Sequence, residues 1–460
     1  MTAIFSRQEL SEIFSQEISR DVSDLCINSN DAKVGDLFVA MQGEKVDGHS
    51  FVAHALANGA ELAIVEKDLD GVDESRLMVV DSSRNALLQL ARYNLERSNA
   101  NYIGVTGSVG KTTTRDMIYH MLAKNFEDSN LIYASRKNFN SQIGLPICAA
   151  AMPRETKIGI FEMGMSSSGD IRKLLDLLQP SVSVITNIGE SHLEFFNSPR
   201  EIALAKAEIF STKIPQEAAI IPADSPYADF LRNEAKKCGV RNVFSFGSPQ
   251  SDAQAISCDY DGDNLTITAQ ILGEKARYNM NCGNDGCVLN SLASILAAHV
   301  ISKIPLQRLA DALGSFRLPP RRGESIYIRN RDLILIDDSY NASPKSTRLA
   351  IQSLSRHKTR RKILVLGDML ELGGGAAHYH ENLSAAIDKF GIDLVFACGP
   401  LAKFLFDNLS ADKKGKWCEN SSEIAKELLE EVRNGDCILV KGSRAMKMEY
   451  VVAAVVKNMD

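Results

Sequence analysis

Residues 104–114 read Gly-Val-Thr-Gly-Ser-Val-Gly-Lys-Thr-Thr-Thr. The β-branched stretch Tyr102–Thr106 predicts a strand that enters a Gly-rich turn, and Thr112–Lys124 predicts the helix that follows. Such a turn aims backbone N–H groups and a helix N-terminus outward, an arrangement that favours phosphate. In it Lys111 would neutralise β- and γ-phosphates, and the Thr112 hydroxyl would ligate Mg²⁺. The spacing is Thr-Gly-x-x-Gly-Lys-Thr; the first glycine of the stricter G-x-x-x-x-G-K-[ST] pattern would fall on Val105. A Gly-rich turn with an incidental lysine is the plain alternative. The strand before and the helix after favour a nucleoside triphosphate site.

Working outward, 460 residues predict about three domains. A formal net charge of −6 argues against nucleic acid or an anionic membrane as the main partner, so a phosphate-rich ligand must be met by local cations. Nine cysteines without a C-x-x-C pair fit reduced thiols in a cytosolic protein. The opening MTAIFSRQELSEIF has no apolar signal-like core, and no apolar run of about 18 residues is evident. The expectation is a soluble cytoplasmic chain without membrane insertion.

The expected fold class is α/β in three domains. Residues 1–98 form a small N-terminal α/β domain, with strands at Asp36–Met41 and Glu61–Val65 and helices at Phe51–Gly59 and Ser83–Arg97. It shows no catalytic constellation, which suits substrate docking. Residues 99–316 form a central P-loop mononucleotide-binding domain with a mostly parallel sheet, using Lys157–Met163, Val182–Ile188 and Ala218–Ile221 as buried strands. An excursion over 250–282 alternates with period two and looks antiparallel, and the helical stretch Val288–Ile301 follows. FRLPPRRG (316–323) reads as a linker. Residues 317–460 alternate strand and helix as a Rossmann-like doubly wound sheet, without G-x-G-x-x-G and hence without a dinucleotide site.

Ligands of open α/β sheets bind beyond the carboxyl ends of the strands. Glu162 follows the strand IGIF and could hold Mg²⁺ or simply pair with a lysine. His192 follows VSVITNIGES at the same edge; alone it reads as a loop histidine. Lys206 lies in PREIALAKAEIF and alone reads as a solvated helix lysine. After LILIDD, Asp338 and Asn341 either cap the next helix or face a nucleotide across an interdomain cleft, and the residues by themselves leave both open.

Eight strings occur in order: GVTGSVGKTTT, NFNSQIGLP (138–146), FEMGMSSSGDI (161–171), TNIGESHLEFFNS (186–198), AKAEIF (205–210), IDDSYNASPKS (336–346), VLGDMLELG (365–373) and VKGSRAMKME (440–449). Together, from about residue 30 to the C-terminus, they resemble the Mur ligases of peptidoglycan synthesis. DDSYNASP and LGDMLELG resemble the branch that joins D-alanyl-D-alanine to UDP-N-acetylmuramoyl-tripeptide. The D-N-P-R string of the branch adding a diamino acid is absent.

The resemblance implies an ATP-dependent amide ligase, acting as a cytoplasmic monomer in cell-wall biogenesis and so in cell shape and division. Thr106, Gly107, Ser108, Val109, Gly110, Lys111, Thr112 and Thr113 would wrap the ATP phosphates. Thr112 and Glu162 would hold one Mg²⁺. His192 and Lys206 would serve a second, with Lys206 carbamylated by CO₂. That modification turns a repelled ammonium into an attracted anionic ligand. Lys111, Lys206 and His192 form the implied catalytic set. Asn290 would meet adenine, Arg322 and Asp338 phosphate and ribose, with Asn341 beside them. Ser29 would meet the uridine diphosphate end, and Asn138 and Asn140 the substrate peptide.

Three departures stand out. Asn28-Ser29-Asn30 replaces the family's Asp-Ser-Arg, which removes an arginine from the UDP end. Gly286-Cys287 replaces His-Asn ahead of Asn290, and Ser141 stands where asparagine is common. None touches the phosphate or metal set. The first alternative is another ATP-dependent amide ligase of the same superfamily, such as a folylpolyglutamate synthase or the diamino-acid ligase; the N-terminal domain of about 98 residues together with DDSYNASP argues against the folate enzyme. A nucleotide-binding scaffold without catalysis is opposed by the intact Lys111, Thr112, Glu162, His192 and Lys206.

Overall fold

The computed structural model describes residues 3–43, 46–190, 193–196, 198–282 and 284–459. His192 therefore lies outside the described residues. Three sheets organise the rest. The first has four parallel strands in chain order, Asp24–Cys26, Asp36–Val39, Leu62–Val65 and Leu77–Val79. Helices Arg7–Phe14 and Ser83–Glu96 pack on it, the former opened by a Ser6/Glu9 capping box. The helix expected over Phe51–Gly59 is shorter. Asp47 caps a 3₁₀ turn at Gly48–Phe51, and only Val52–Ala57 continues as α-helix.

The second sheet has nine strands, and the strand leading into the P-loop lies inside it, third from one edge. The strand Asn101–Thr106 lies between Val182–Ile185 and Ile158–Glu162, parallel to both. All five residues of Ile158–Glu162 are buried, as are all four of Val182–Ile185, as a parallel sheet covered on both faces requires. Their carboxyl ends deliver the Gly-rich turn, Glu162 and the Thr186-Asn187 corner to one edge. Farther out, Ala253–Asp261, Asn264–Ile271 and Glu274–Asn281 form the expected antiparallel meander.

The helix Asp285–Ser302 is longer than its sequence signal. Asn284 caps it through the Cys287 N–H. At 18 residues and mean hydropathy 1.3 it is long and apolar enough to cross a membrane, contrary to the reading of the sequence. Its apolar side chains are instead buried in the central core with Met117, Ile118 and Met121 of the P-loop helix Lys111–Asn125. The structure also corrects the expectation of uniformly reduced thiols. Cys282 and Cys287, five positions apart, form a disulfide at the start of this helix, with Cα atoms 6.5 Å apart.

The third sheet has the order Glu324–Ile328, Leu333–Asp338, Asp436–Lys441, Arg361–Gly367, Leu394–Cys398 and Lys414–Cys418, parallel except for its first strand. Between the strands Arg361–Gly367 and Leu394–Cys398 two short helices, Ala376–Glu381 and Leu383–Lys389, meet at Asn382. The edge strand Lys414–Cys418 (KGKWC) lacks a β-branched signature and was not legible in the sequence.

The sheets are tied together by named contacts. Arg97 and Arg154 both meet Glu9, which fastens the N-terminal helix to the central sheet's domain. Arg356 and Gln352 of the helix Pro344–Ser355 reach Asp285 at 2.7 and 3.0 Å, and Lys345 approaches Asp224 at 3.8 Å. These contacts close the third sheet over the P-loop edge of the second.

Candidate active site

The Gly-rich turn is fixed by its neighbour strand's corner. Asn187 accepts from the Val109 N–H through its side chain (3.0 Å) and from the Ser108 N–H through its carbonyl (3.1 Å). Thr186 donates its hydroxyl to the Val109 carbonyl. With those two N–H groups engaged, the N–H groups of Gly110, Lys111, Thr112 and Thr113, at the open end of the helix, are the ones without an intrahelical carbonyl. Two glycines are obligatory here. A Cβ on Gly107 (φ +150°) would lie 1.9 Å from Thr186 Oγ1, and one on Gly110 (φ +86°) would lie 2.6 Å from Asn290 Oδ1. The second contact shows how close Asn290, on the helix Asp285–Ser302, sits to the turn.

Lys111 Nζ donates to the Gly107 carbonyl at 2.9 Å, folded back over the turn. Burial pushes its amine below the ordinary lysine range; Glu162 opposes and Arg322 adds to the shift. Thr112 Oγ1 donates to Glu162 Oε2 at 2.7 Å, and Asn140 Nδ2 donates to Glu162 Oε1 at 2.6 Å. Arg115 lies 3.6 Å from the same carboxylate. A hydroxyl and one carboxylate converging beside a phosphate-binding turn match the needs of Mg²⁺. That ion takes one or two protein oxygens and completes its shell with phosphate oxygens and water. Among the described residues no group of three His, Cys, Asp or Glu forms an all-protein metal cage.

Lys206 ends the helix Pro199–Ala207, which Ser198 caps with proline in its first turn. The side chain is 2% exposed and no carboxylate of the described residues stands within ion-pair distance. Burial, with the Lys111 charge added, drives its amine well below the ordinary lysine range. A neutral, buried amine is the form that can add to CO₂, and the resulting carbamate would face the cleft as an oxygen ligand.

The third domain supplies the opposite wall. Asp338 ends its strand beside Lys441, which donates to Asp338 Oδ2 at 2.6 Å and to the Asn341 carbonyl at 2.9 Å. Burial raises the Asp338 carboxyl, while Lys441 and Arg322 oppose. Arg322 stacks 4.2 Å over the Tyr340 ring. Asp337, the neighbouring acid, turns away to hold Ser339.

These groups line one cleft of about 970 Å³ between the sheets. Ser108, Val109, Gly110, Lys111, Thr112 and Thr113 open onto it from the turn. Glu162, Lys206 and Asn290 come from the central domain, Asn138 and Asn140 from its side, and Arg322, Asp338 and Asn341 from the third domain. Thr106 and Gly107 do not open onto it: the Thr106 side chain is fully buried beneath the turn. Ser29 is buried in the N-terminal domain, where its carbonyl accepts from Asn58, and is not part of the cleft wall. Sequence reading missed Arg115, Lys441 and the Thr186-Asn187 clamp. The clamp residues carried the better signal, since they directly follow a buried strand.

Comparison with known proteins agrees along the whole chain. Models of the Mur ligase family catalytic domain, the Mur ligase middle domain and the Mur ligase glutamate ligase domain match residues 21–94, 105–298 and 321–444. The UDP-N-acetylmuramoyl-tripeptide–D-alanyl-D-alanine ligase of Rickettsia prowazekii is 33% identical over 452 residues, 98% of this chain and 99% of that protein. Its Bacillus subtilis counterpart is 34% identical, covering 92% of this chain and 90% of that one. The crystal structure of MurF from Acinetobacter baumannii superimposes with a TM-score of 0.85 at 27% identity, covering 99% of both chains. MurF ligase from Thermotoga maritima in complex with ADP gives 0.79 at 29% identity, over 95% of this chain and 98% of that one. With a relative one-third identical along almost its full length, the chain belongs to the Mur ligase family.

Proposed function

We propose that the protein joins D-alanyl-D-alanine to the terminal carboxylate of UDP-N-acetylmuramoyl-tripeptide at the expense of ATP, the last cytoplasmic step in building the peptidoglycan pentapeptide precursor. The observation that carries this reading is the convergence of Lys111, the Thr112–Glu162 pair and Lys206 at the mouth of a phosphate-binding turn, in a chain similar throughout to ligases of that name. The N-terminal domain, residues 1–98, would hold the UDP end, residues 99–316 ATP, and residues 317–460 the nucleoside and incoming amine.

The chemistry needs a carboxylate to attack a phosphate, two anions that repel. Lys111 and the N–H groups at the helix N-terminus offset the charge gathered on the γ-phosphoryl group. Thr112 and Glu162 would hold one Mg²⁺, and carbamylated Lys206 with His192 a second; the ions supply Lewis-acid neutralisation of the phosphoryl oxygens. Attack of the tripeptide carboxylate on the γ-phosphorus releases ADP and gives an acyl phosphate. The amine of D-alanyl-D-alanine then attacks the acyl carbon, the amine loses a proton, and inorganic phosphate departs as the amide forms. Asn138 and Asn140 line the path on the substrate side. Asn290, Arg322, Asp338 and Asn341 would hold the nucleotide so that its γ-phosphate faces that path.

The test is product formation. The protein with ATP, Mg²⁺, UDP-N-acetylmuramoyl-tripeptide and D-alanyl-D-alanine should yield the UDP-pentapeptide by mass spectrometry, and Lys111→Ala should not. Product with L-glutamate or a diamino acid, and none with D-alanyl-D-alanine, would overturn the assignment of the amine.

A further inference from the structure

Among the described residues, one buried cation of the cleft wall has no part in the proposed mechanism. Lys441 is the last residue of its strand, 2% exposed, and stands in register beside Asp338 on the adjacent parallel strand. Its ammonium has two acceptors, Asp338 Oδ2 at 2.6 Å and the Asn341 main-chain carbonyl at 2.9 Å. Both acceptors belong to the segment assigned above to the nucleotide. A desolvated ammonium persists only where its partners are fixed, and it fixes them in return. One charge therefore ties the strand end bearing Asp338 to the loop bearing Asn341.

We propose that Lys441 is a positioning residue for nucleotide binding, holding the Asp338 carboxylate and the Asn341 loop in the arrangement that receives the nucleotide. This rests on the assignment of Asp338 to the nucleotide. Arg322 is the other cation near Asp338, but it comes from the linker and stacks on Tyr340, so it cannot replace the tie to Asn341. The preference is for lysine: a compact ammonium serves two acceptors on adjacent chain segments, whereas a planar guanidinium presents a wider fork.

The test compares ADP affinity by calorimetry and KM for ATP against kcat in Lys441→Met, Lys441→Arg, Asp338→Asn and the double variant Asp338→Asn/Lys441→Met. Lys441→Met should weaken ADP binding roughly ten- to a hundredfold, the scale of one charged hydrogen bond. KM for ATP should rise with it, and kcat at saturation should change less than about threefold. Lys441→Arg should recover part of the loss, and the double variant should lose clearly less affinity than the two single losses multiplied, because Asp338 lies on one of the two routes through which Lys441 acts. Multiplying effects in the double variant would show that Lys441 touches the nucleotide itself and would overturn the positioning role. Wild-type affinity in Lys441→Met, with Asp338→Asn weakened, would overturn Lys441 alone. Wild-type affinity in Asp338→Asn would overturn the site reading on which it rests. Should Lys441→Met fail to fold, Lys441→Arg with wild-type affinity and KM would overturn the proposal.

Discussion

The Thr112 hydroxyl donates to Glu162 Oε2 at 2.7 Å, joining the first turn of the P-loop helix to the end of the neighbouring strand. The bond marks the spot where a hydroxyl oxygen and a carboxylate oxygen converge, and a divalent cation would enter between them with the hydroxyl proton turned away. Glu162→Gln keeps the shape and removes the charge. It should lower kcat about 10²- to 10³-fold, the scale of losing one preorganised electrostatic contact. Thr112→Ala should raise the Mg²⁺ concentration needed for half-maximal rate. A magnesium titration of steady-state rates checks both.

Gly110 meets two constraints at once, a φ of +86° and an Asn290 amide 2.6 Å from where a Cβ would sit. Gly110→Ala strains the backbone by about 1–3 kcal/mol and displaces Asn290. Its ADP affinity should fall at least about tenfold, while Gly262→Ala, on an open turn, should bind ADP as the wild type does. Calorimetry on the two variants separates a local clash from a general loss of stability.

Among the described residues no carboxylate pairs with the buried Lys206, and its amine is pushed well below the ordinary lysine range by burial and by Lys111. Carbamylation would convert this amine into an oxygen ligand. Activity should fall in buffers stripped of CO₂ and return on adding bicarbonate. Lys206→Ala should abolish ligation and be partly rescued by short carboxylic acids. Nuclear magnetic resonance after exposure to ¹³CO₂ should show one carbamate carbon that the variant lacks.

Glu9 carries the acid-sensitive link of the N-terminal domain. Burial raises its carboxyl, but the Ser6 backbone and hydroxyl hydrogen bonds, with Arg97 and Arg154, outweigh burial and hold it below the usual range. The folded chain thus binds this proton less readily than the unfolded chain. The stabilisation is complete above the ordinary glutamate value of about 4.3 and is lost as pH falls through the lower folded value. Glu9→Gln should lower the thermal midpoint at neutral pH and flatten its dependence between about pH 5 and the acid limit. Melting curves across pH compare the two.

Much of the cleft was legible because its residues follow buried strands. The β-branched runs before Gly107, Glu162 and Asp338 fixed both the strands and the edge they share. What was hidden depends on which strands become neighbours. Lys441 and Asp338 are 103 positions apart, and only the order of the third sheet sets them side by side. Arg115 looks like an ordinary helix residue until the loop containing Lys137 folds over it. The Lys414–Cys418 strand owes its form to pairing with Leu394–Cys398, not to its own propensities. Thr106 shows the converse: a position inside the motif string whose side chain points beneath the turn.

The central claim is that the tripeptide carboxylate is activated by phosphoryl transfer before the amide forms. The direct measurement is a ligation with D-alanyl-D-alanine in which both oxygens of that carboxylate are ¹⁸O, followed by mass analysis of the released phosphate. An acyl phosphate requires the bridging oxygen to leave with phosphorus, so each phosphate should carry one ¹⁸O and the pentapeptide should retain the other. Unlabelled phosphate, with both heavy oxygens elsewhere, would contradict the mechanism.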